Sequence, residues 1–164
     1  MKTETVIFPI DLTKCPLAAF AVVNAFVNLP GAMVTLLHVV NLNILAPVAG
    51  LYDDICCEAE RHLEWLRRKY VNPAVATRVR VRMGKTLDEI MAEATESGAK
   101  LILLPTFEPP AWKRFFLPLV PKTVEKLVQN ASCPVFVVRE EKPGTDKNHR
   151  AALPSTAVLV LGAL

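Results

Sequence analysis

Short runs of β-branched and other apolar residues alternate with helix-patterned stretches along this chain, and that alternation restricts the fold more than any other feature. Thr5-Val6-Ile7-Phe8-Pro9-Ile10-Asp11 reads as a buried strand ending in a turn. Thr13 is placed to cap a helix reaching about Leu29, with Pro16 in its first turn, where a missing N–H costs nothing. Pro30-Gly31 ends that helix, and Met33 to Val40 has the continuous apolarity of a strand covered on both faces. After a loop from Asn41 to Gly50, Ile55, Ala59, His62, Leu63 and Leu66 recur at helical spacing between Tyr52 and about Tyr70.

The second half repeats the alternation. From Ala76 to Arg82, Val79 and Val81 alternate with Arg78, Arg80 and Arg82, the pattern of a strand at the side of a sheet. Gly84 makes a turn, Thr86 caps a helix carrying Leu87, Ile90, Met91 and Ala94, and Gly98 ends it. Leu101 to Leu104 is a central strand. An irregular segment, Pro105 to Pro118, precedes a last helix opened by Pro121 and running through Ala131, and Pro134 to Arg139 is a final strand. Such an order implies parallel strands joined by right-handed crossovers with helices on both faces, a doubly wound α/β three-layer sandwich.

The 164 residues suit one domain with a sizeable core, expected over 1–141, followed by a linker and apolar tail over 142–164. A net charge of +3, with its cations scattered, gives no electrostatic footprint for nucleic acid. No run approaches the roughly 18 apolar residues of a membrane span. Cys15, Cys56, Cys57 and Cys133 form no CxxC, and no signal peptide precedes them, so a reducing cytoplasm is the expected compartment. Cys15, near a helix start, is the best placed of the four for redox chemistry, although a packing role is the simpler reading. Paired carboxylates, HExxH and a Ser/His/Asp set are all missing at suggestive spacing, so the chain is not expected to be an enzyme.

No Asp, Glu, Lys or Arg occurs between Lys14 and Asp53, and the first helix has no polar positions beyond Asn24 and Asn28. A helix on one face of a sandwich shows one side to water, so a cover is expected: a second protomer, a partner protein, a membrane surface, or the chain's own Ala157 to Leu161. That tail run reads as packing on a dimer, as a disordered end, or as an added edge strand.

Several segments, in order over residues 3 to 140, together resemble the universal stress protein family. They are Pro9-Ile10-Asp11-Leu12-Thr13, Gly31-Ala32 through His38-Val39, Gly84 through Ile90, and Ala131-Ser132-Cys133-Pro134-Val135 with Val137-Val138-Arg139. The resemblance implies a five-stranded parallel sheet of order 3-2-1-4-5, the adenine nucleotide alpha hydrolase-like fold. It also implies a homodimer formed through the last strand, with Val135 and Val137 at the contact. Ligands of such sheets sit beyond the strand ends where the order reverses, here between the first and fourth strands, beside Asp11 and Thr13.

Nucleotide-binding members of the family carry spaced glycines after the fourth strand, because bare backbone N–H groups must approach phosphate closely. Here Pro105 to Thr123 contains no glycine, and its prolines at 105, 109, 110, 118 and 121 offer no N–H. The expectation is a stress-response or regulatory protein that acts through dimerisation and an unknown protein partner, without ATP or another cofactor. Trp112, Phe115 and Phe116 would then bind protein where relatives bind phosphate. The alternative is a switch that holds ATP or AMP through Asp11, Thr13, Gly84, Lys122 and Thr123 with altered phosphate contacts.

Overall fold

The computed structural model describes residues 4–26, 29–41, 51–107, 122–140 and 158–161, and the alternation expected from sequence is what these residues form. Five parallel strands, β1 (Glu4–Pro9), β2 (Ala32–Val40), β3 (Thr77–Met83), β4 (Leu101–Phe107) and β5 (Val135–Glu140), take the order β3-β2-β1-β4-β5. Helices α1 (Leu17–Ala25), α2 (Leu51–Tyr70), α3 (Thr86–Glu96) and α4 (Lys122–Asn130) lie between them in the chain. A sixth strand, β6 (Val158–Leu161), joins the far side of β5 antiparallel. Of the readings open for the tail, the added edge strand is the one found.

Strand periodicity sorts the core into two layers. Val6 and Phe8, Val34 and Leu36, and Leu103 point to one face, where Ala18, Ala19, Phe20 and Val23 of α1 and Leu63 and Leu66 of α2 cover them. Ile7, Leu37, Ile102 and Leu104 point to the other, beneath Ile90 and Ala94 of α3 and Val124 and Leu127 of α4. The charge-free first helix is accounted for largely by size. Its outward positions are Leu17, Ala21 and Ala25, so only Leu17 exposes a large apolar side chain. Its one polar residue within the helix, Asn24, is spent on the neighbouring helix end, donating to the Tyr70 carbonyl (2.9 Å) and accepting from Asn72 N–H (2.8 Å).

Two caps expected from sequence do not form. The Thr13 hydroxyl is used locally, and α1 begins four residues later with Pro16 at its cap position and no side-chain cap of its own. The cap comes instead from the other end of the domain. Glu140, 3% exposed at the end of β5, accepts the N–H of Ala18 (2.9 Å) and of Ala19 (2.8 Å). At α3 the Lys85 carbonyl already accepts the first helical bond from Glu89, so Thr86 lies inside the helix. Gly98 does end α3 as expected. With φ of 61° it lets Ala99 N–H reach Ala94 and its own N–H reach Thr95, satisfying the last carbonyls.

The edge character expected of β3 is found, and its arginines are organised. Arg78, Arg80 and Arg82 share the face toward α3, and Glu93, 2% exposed, lies 3.3, 3.8 and 2.9 Å from them respectively. Arg82 also holds Glu89 (2.7 Å) and Glu96 (2.7 Å), and Arg78 donates to Thr35 (2.7 Å). Removing the central carboxylate leaves three cations facing one another under a helix. Glu93→Ala is expected to lower the unfolding free energy by about 3 kcal/mol in urea denaturation, with Glu93→Gln costing less.

Glu140 supplies a second test. Glu140→Ala strands two helix-terminal N–H groups and should cost about 2 kcal/mol. Burial pushes the Glu140 carboxyl above its usual value of 4.5, against the opposing pull of the two amides. A raised folded-state value means a contribution fully present below pH 4.5 and lost as the pH climbs through that raised value. The stability of the native chain relative to Glu140→Gln should therefore be greatest at acid pH and decline towards neutrality.

Candidate functional site

The crevice lies where β1 and β4 part. Their pairing runs through Val6 with Leu101 and Ile7 with Ile102, whereas β4 stays paired with β5 all the way to Phe107. From Leu103 onward no described residue of β1 is registered against β4. Pro105 therefore fits within a strand, contrary to the expectation that the chain turns irregular there: its missing N–H falls where one side of β4 has no partner strand.

Asp11 stands at the mouth of this crevice, just beyond β1. Its Oδ1 accepts both the N–H (3.0 Å) and the hydroxyl (2.7 Å) of Thr13, and Lys14 Nζ lies 3.4 Å from Oδ2. Burial acts to raise the carboxyl's pKa, but the Thr13 and Lys14 contacts outweigh it and the net shift is downward. Asp11 thus closes the turn after β1. It remains half exposed, with acceptor capacity left for a ligand hydroxyl or amine.

Lys14 and Phe107 were not anticipated as site residues. The Lys14 ammonium lies 5.2 Å from the centre of the Phe107 ring and so links the ends of β1 and β4. A lysine three positions after a strand-end aspartate carries no local signal of this, because its second contact is set by the sheet order. His38, on β2, is satisfied within the same region: its Nδ1 donates to the Ile10 carbonyl at 2.9 Å, which fixes the tautomer.

Gly84 turns the chain after β3, with its N–H on the Val40 carbonyl (3.0 Å). Its φ of +149° is one that side chains rarely adopt, and a Cβ there would meet Glu89 Oε1 at 2.7 Å. The geometry makes Gly84 the neighbour of the Arg82–Glu89 pair. Lys122 and Thr123 begin α4, and their side chains lie outside the described residues, as do Trp112, Phe115 and Phe116. Val135 and Val137, expected at a contact between copies, are 1% and 9% exposed in the second core layer, and the outer edge of their strand is paired with β6.

Two helix starts are described at the crevice end: that of α3 has no side-chain cap hydrogen bond, and that of α1 is occupied by Glu140. An N-terminal turn that would otherwise attract phosphate is neutralised from within the chain. Among the described residues no group of three His, Cys, Asp or Glu is placed to hold a metal, and no helix is long and apolar enough to cross a membrane. A shallow groove of about 500 Å³ lies away from the crevice on the outer side of α2, between Cys57, Glu60, Arg61, Glu64, Trp65 and Arg68.

No curated protein matches the sequence. Among solved structures, the hypothetical protein MJ0577 superposes with a TM-score of 0.70 at 20% identity, covering 87% of this chain and 99% of its own. A universal stress protein family member from Burkholderia pseudomallei gives 0.56 at 19% identity, covering 82% and 94%, and UspA from Lactobacillus plantarum gives 0.53 at 17%, covering 84% and 98%. At these identities the likeness is one of fold. The family itself is shown by sequence: the model of the universal stress protein family matches residues 2–139, ending just before the tail that carries β6. With the strand order, the crevice and that match in agreement, this chain belongs to the universal stress protein family.

Proposed function

We propose that this protein is a cytoplasmic stress-response or regulatory module that works through contact with a second copy and with a protein partner, without catalysis and without a loop-bound ATP. The observation that carries the reading is the Glu140 carboxylate seated on the Ala18 and Ala19 amides. A triphosphate approaching that end of the sheet meets a buried negative charge where a free helix start would have attracted it. The glycine-free, proline-rich stretch from Pro105 to Thr123 supports the same reading, since five of its residues have no N–H to offer a phosphate oxygen. The absence of a catalytic constellation in the sequence supports a non-enzymatic role, and the lack of any CxxC supports a reducing compartment.

A second reading rests on Asp11. Its half-exposed carboxylate at the mouth of the crevice keeps the capacity to receive a ribose or adenine group, which favours a nucleoside or AMP over ATP.

Thermal unfolding with added ATP, AMP and adenosine separates the two. A site with a Kd of about 10 µM would add about 2.7 kcal/mol at about 1 mM ligand, a shift of several degrees. The expected result is no shift with ATP. A saturable rise with Mg·ATP would overturn the proposal, and a rise confined to AMP or adenosine would select the Asp11 reading.

A further inference from the structure

The two outer sides of this sheet are protected differently. β3 carries an arginine at every second position, and charge of that density discourages another strand from docking alongside. β5 has no such guard. Val135-Phe136-Val137-Val138 is an uncharged run, and as an outermost strand it would present a row of open N–H and C=O groups beside apolar side chains. In this structure that row is taken by β6, with Val138 opposite Val158, Val137 opposite Leu159, Phe136 opposite Val160 and Val135 opposite Leu161.

The direction of this pairing bears on assembly. Two identical edge strands related by a two-fold axis meet antiparallel, and the contact closes on itself as a dimer. β6 therefore lies on the same backbone row, in the same antiparallel sense, that the β5 of a second copy would use. It lies beyond the family match, which ends at residue 139, and outside the five parallel strands.

We propose that β6 is a displaceable cap that competes, within its own chain, with the β5 strand of a second copy for the β5 edge. Tethered through residues 141–157, β6 is present at an effective concentration on the order of millimolar, above the micromolar range in which a second copy is met, so the intact chain holds its own edge closed. A four-residue strand makes few ladder bonds, which leaves it weak enough to be displaced. Release of β6 converts a closed monomer into a two-fold dimer with one continuous sheet. The inference rests on the reading of the protein as a contact module, and it adds what controls that contact.

Light scattering on three chains tests it: the intact protein, the intact length carrying Leu159→Pro and Val160→Pro, and a chain ending at Lys142. Successive N–H groups of a strand point to opposite sides, so two adjacent prolines remove whichever donor faces β5. The intact chain should run at its monomer mass of 18.1 kDa at micromolar concentrations where both variants approach twice their own monomer mass with an unchanged far-UV spectrum. A peptide covering Ser155 to Leu164, added in excess, should return the shortened chain to monomer. An intact chain as dimeric as its variants, or folded variants that stay monomeric, would overturn the proposal. Loss of the fold in both variants would also overturn it, because β6 would then be part of the core unit. The nucleotide titration is independent of all these outcomes, so ATP binding with the mass switch intact would reject the nucleotide-free reading alone.

Discussion

The contact between the Glu140 carboxylate and the first amides of α1 ties the two ends of the family domain together. α1 has no charge, no side-chain cap and a proline at its cap position, so nothing nearby in sequence fixes where it starts. The end of β5 does so, from more than a hundred residues away. Burying a carboxylate is costly, which is why its pKa is driven upward, and two charge-assisted hydrogen bonds at the positive end of a helix are what offset that cost. Once α1 is placed, Phe20 packs edge-on against Phe8 and stacks on Tyr70, so sheet, first helix and second helix share one apolar layer.

The same contact shapes the chemistry available. In a doubly wound sheet, the crevice beyond the strand ends is where helix starts offer their partial positive charge to anions. One of those starts is filled here by the protein's own carboxylate, while Asp11 and Lys14 partner each other at the crevice mouth. Among the described residues, the Asp11 carboxylate keeps acceptor capacity for a hydroxyl or amine at that mouth.

The sheet's sides show two physical solutions to one problem. On the β3 side, three arginines are gathered onto a single buried glutamate and its neighbours on α3, and charge itself is the barrier. On the β5 side, an uncharged strand is closed by another strand. The charged side is held by ion pairs to α3 and the uncharged side by backbone pairing, so each edge is closed with the groups its own residues supply.

The five parallel strands, the helices between them, the edge position of β3 and the turn role open to Asp11 were legible in the sequence, because each depends on period, β-branching and turn chemistry within a few residues. Thr13 and Thr86 misled as caps for a related reason: a hydroxyl near a helix start has several local partners, and only the backbone path decides among them. Val135 and Val137 were legible as apolar, while the face they occupy follows from which helices cover it. Lys14 with Phe107, Glu93 with its arginines, Glu140 with α1, and β6 with β5 are pairs distant in sequence that the strand order brings together. By itself the sequence determined the alternation, the fold class and the family. The capping of α1, the filling of its anion-attracting start and the closure of the β5 edge were decided only by tertiary structure, since each is a contact between chain segments whose local sequence carries no trace of its partner.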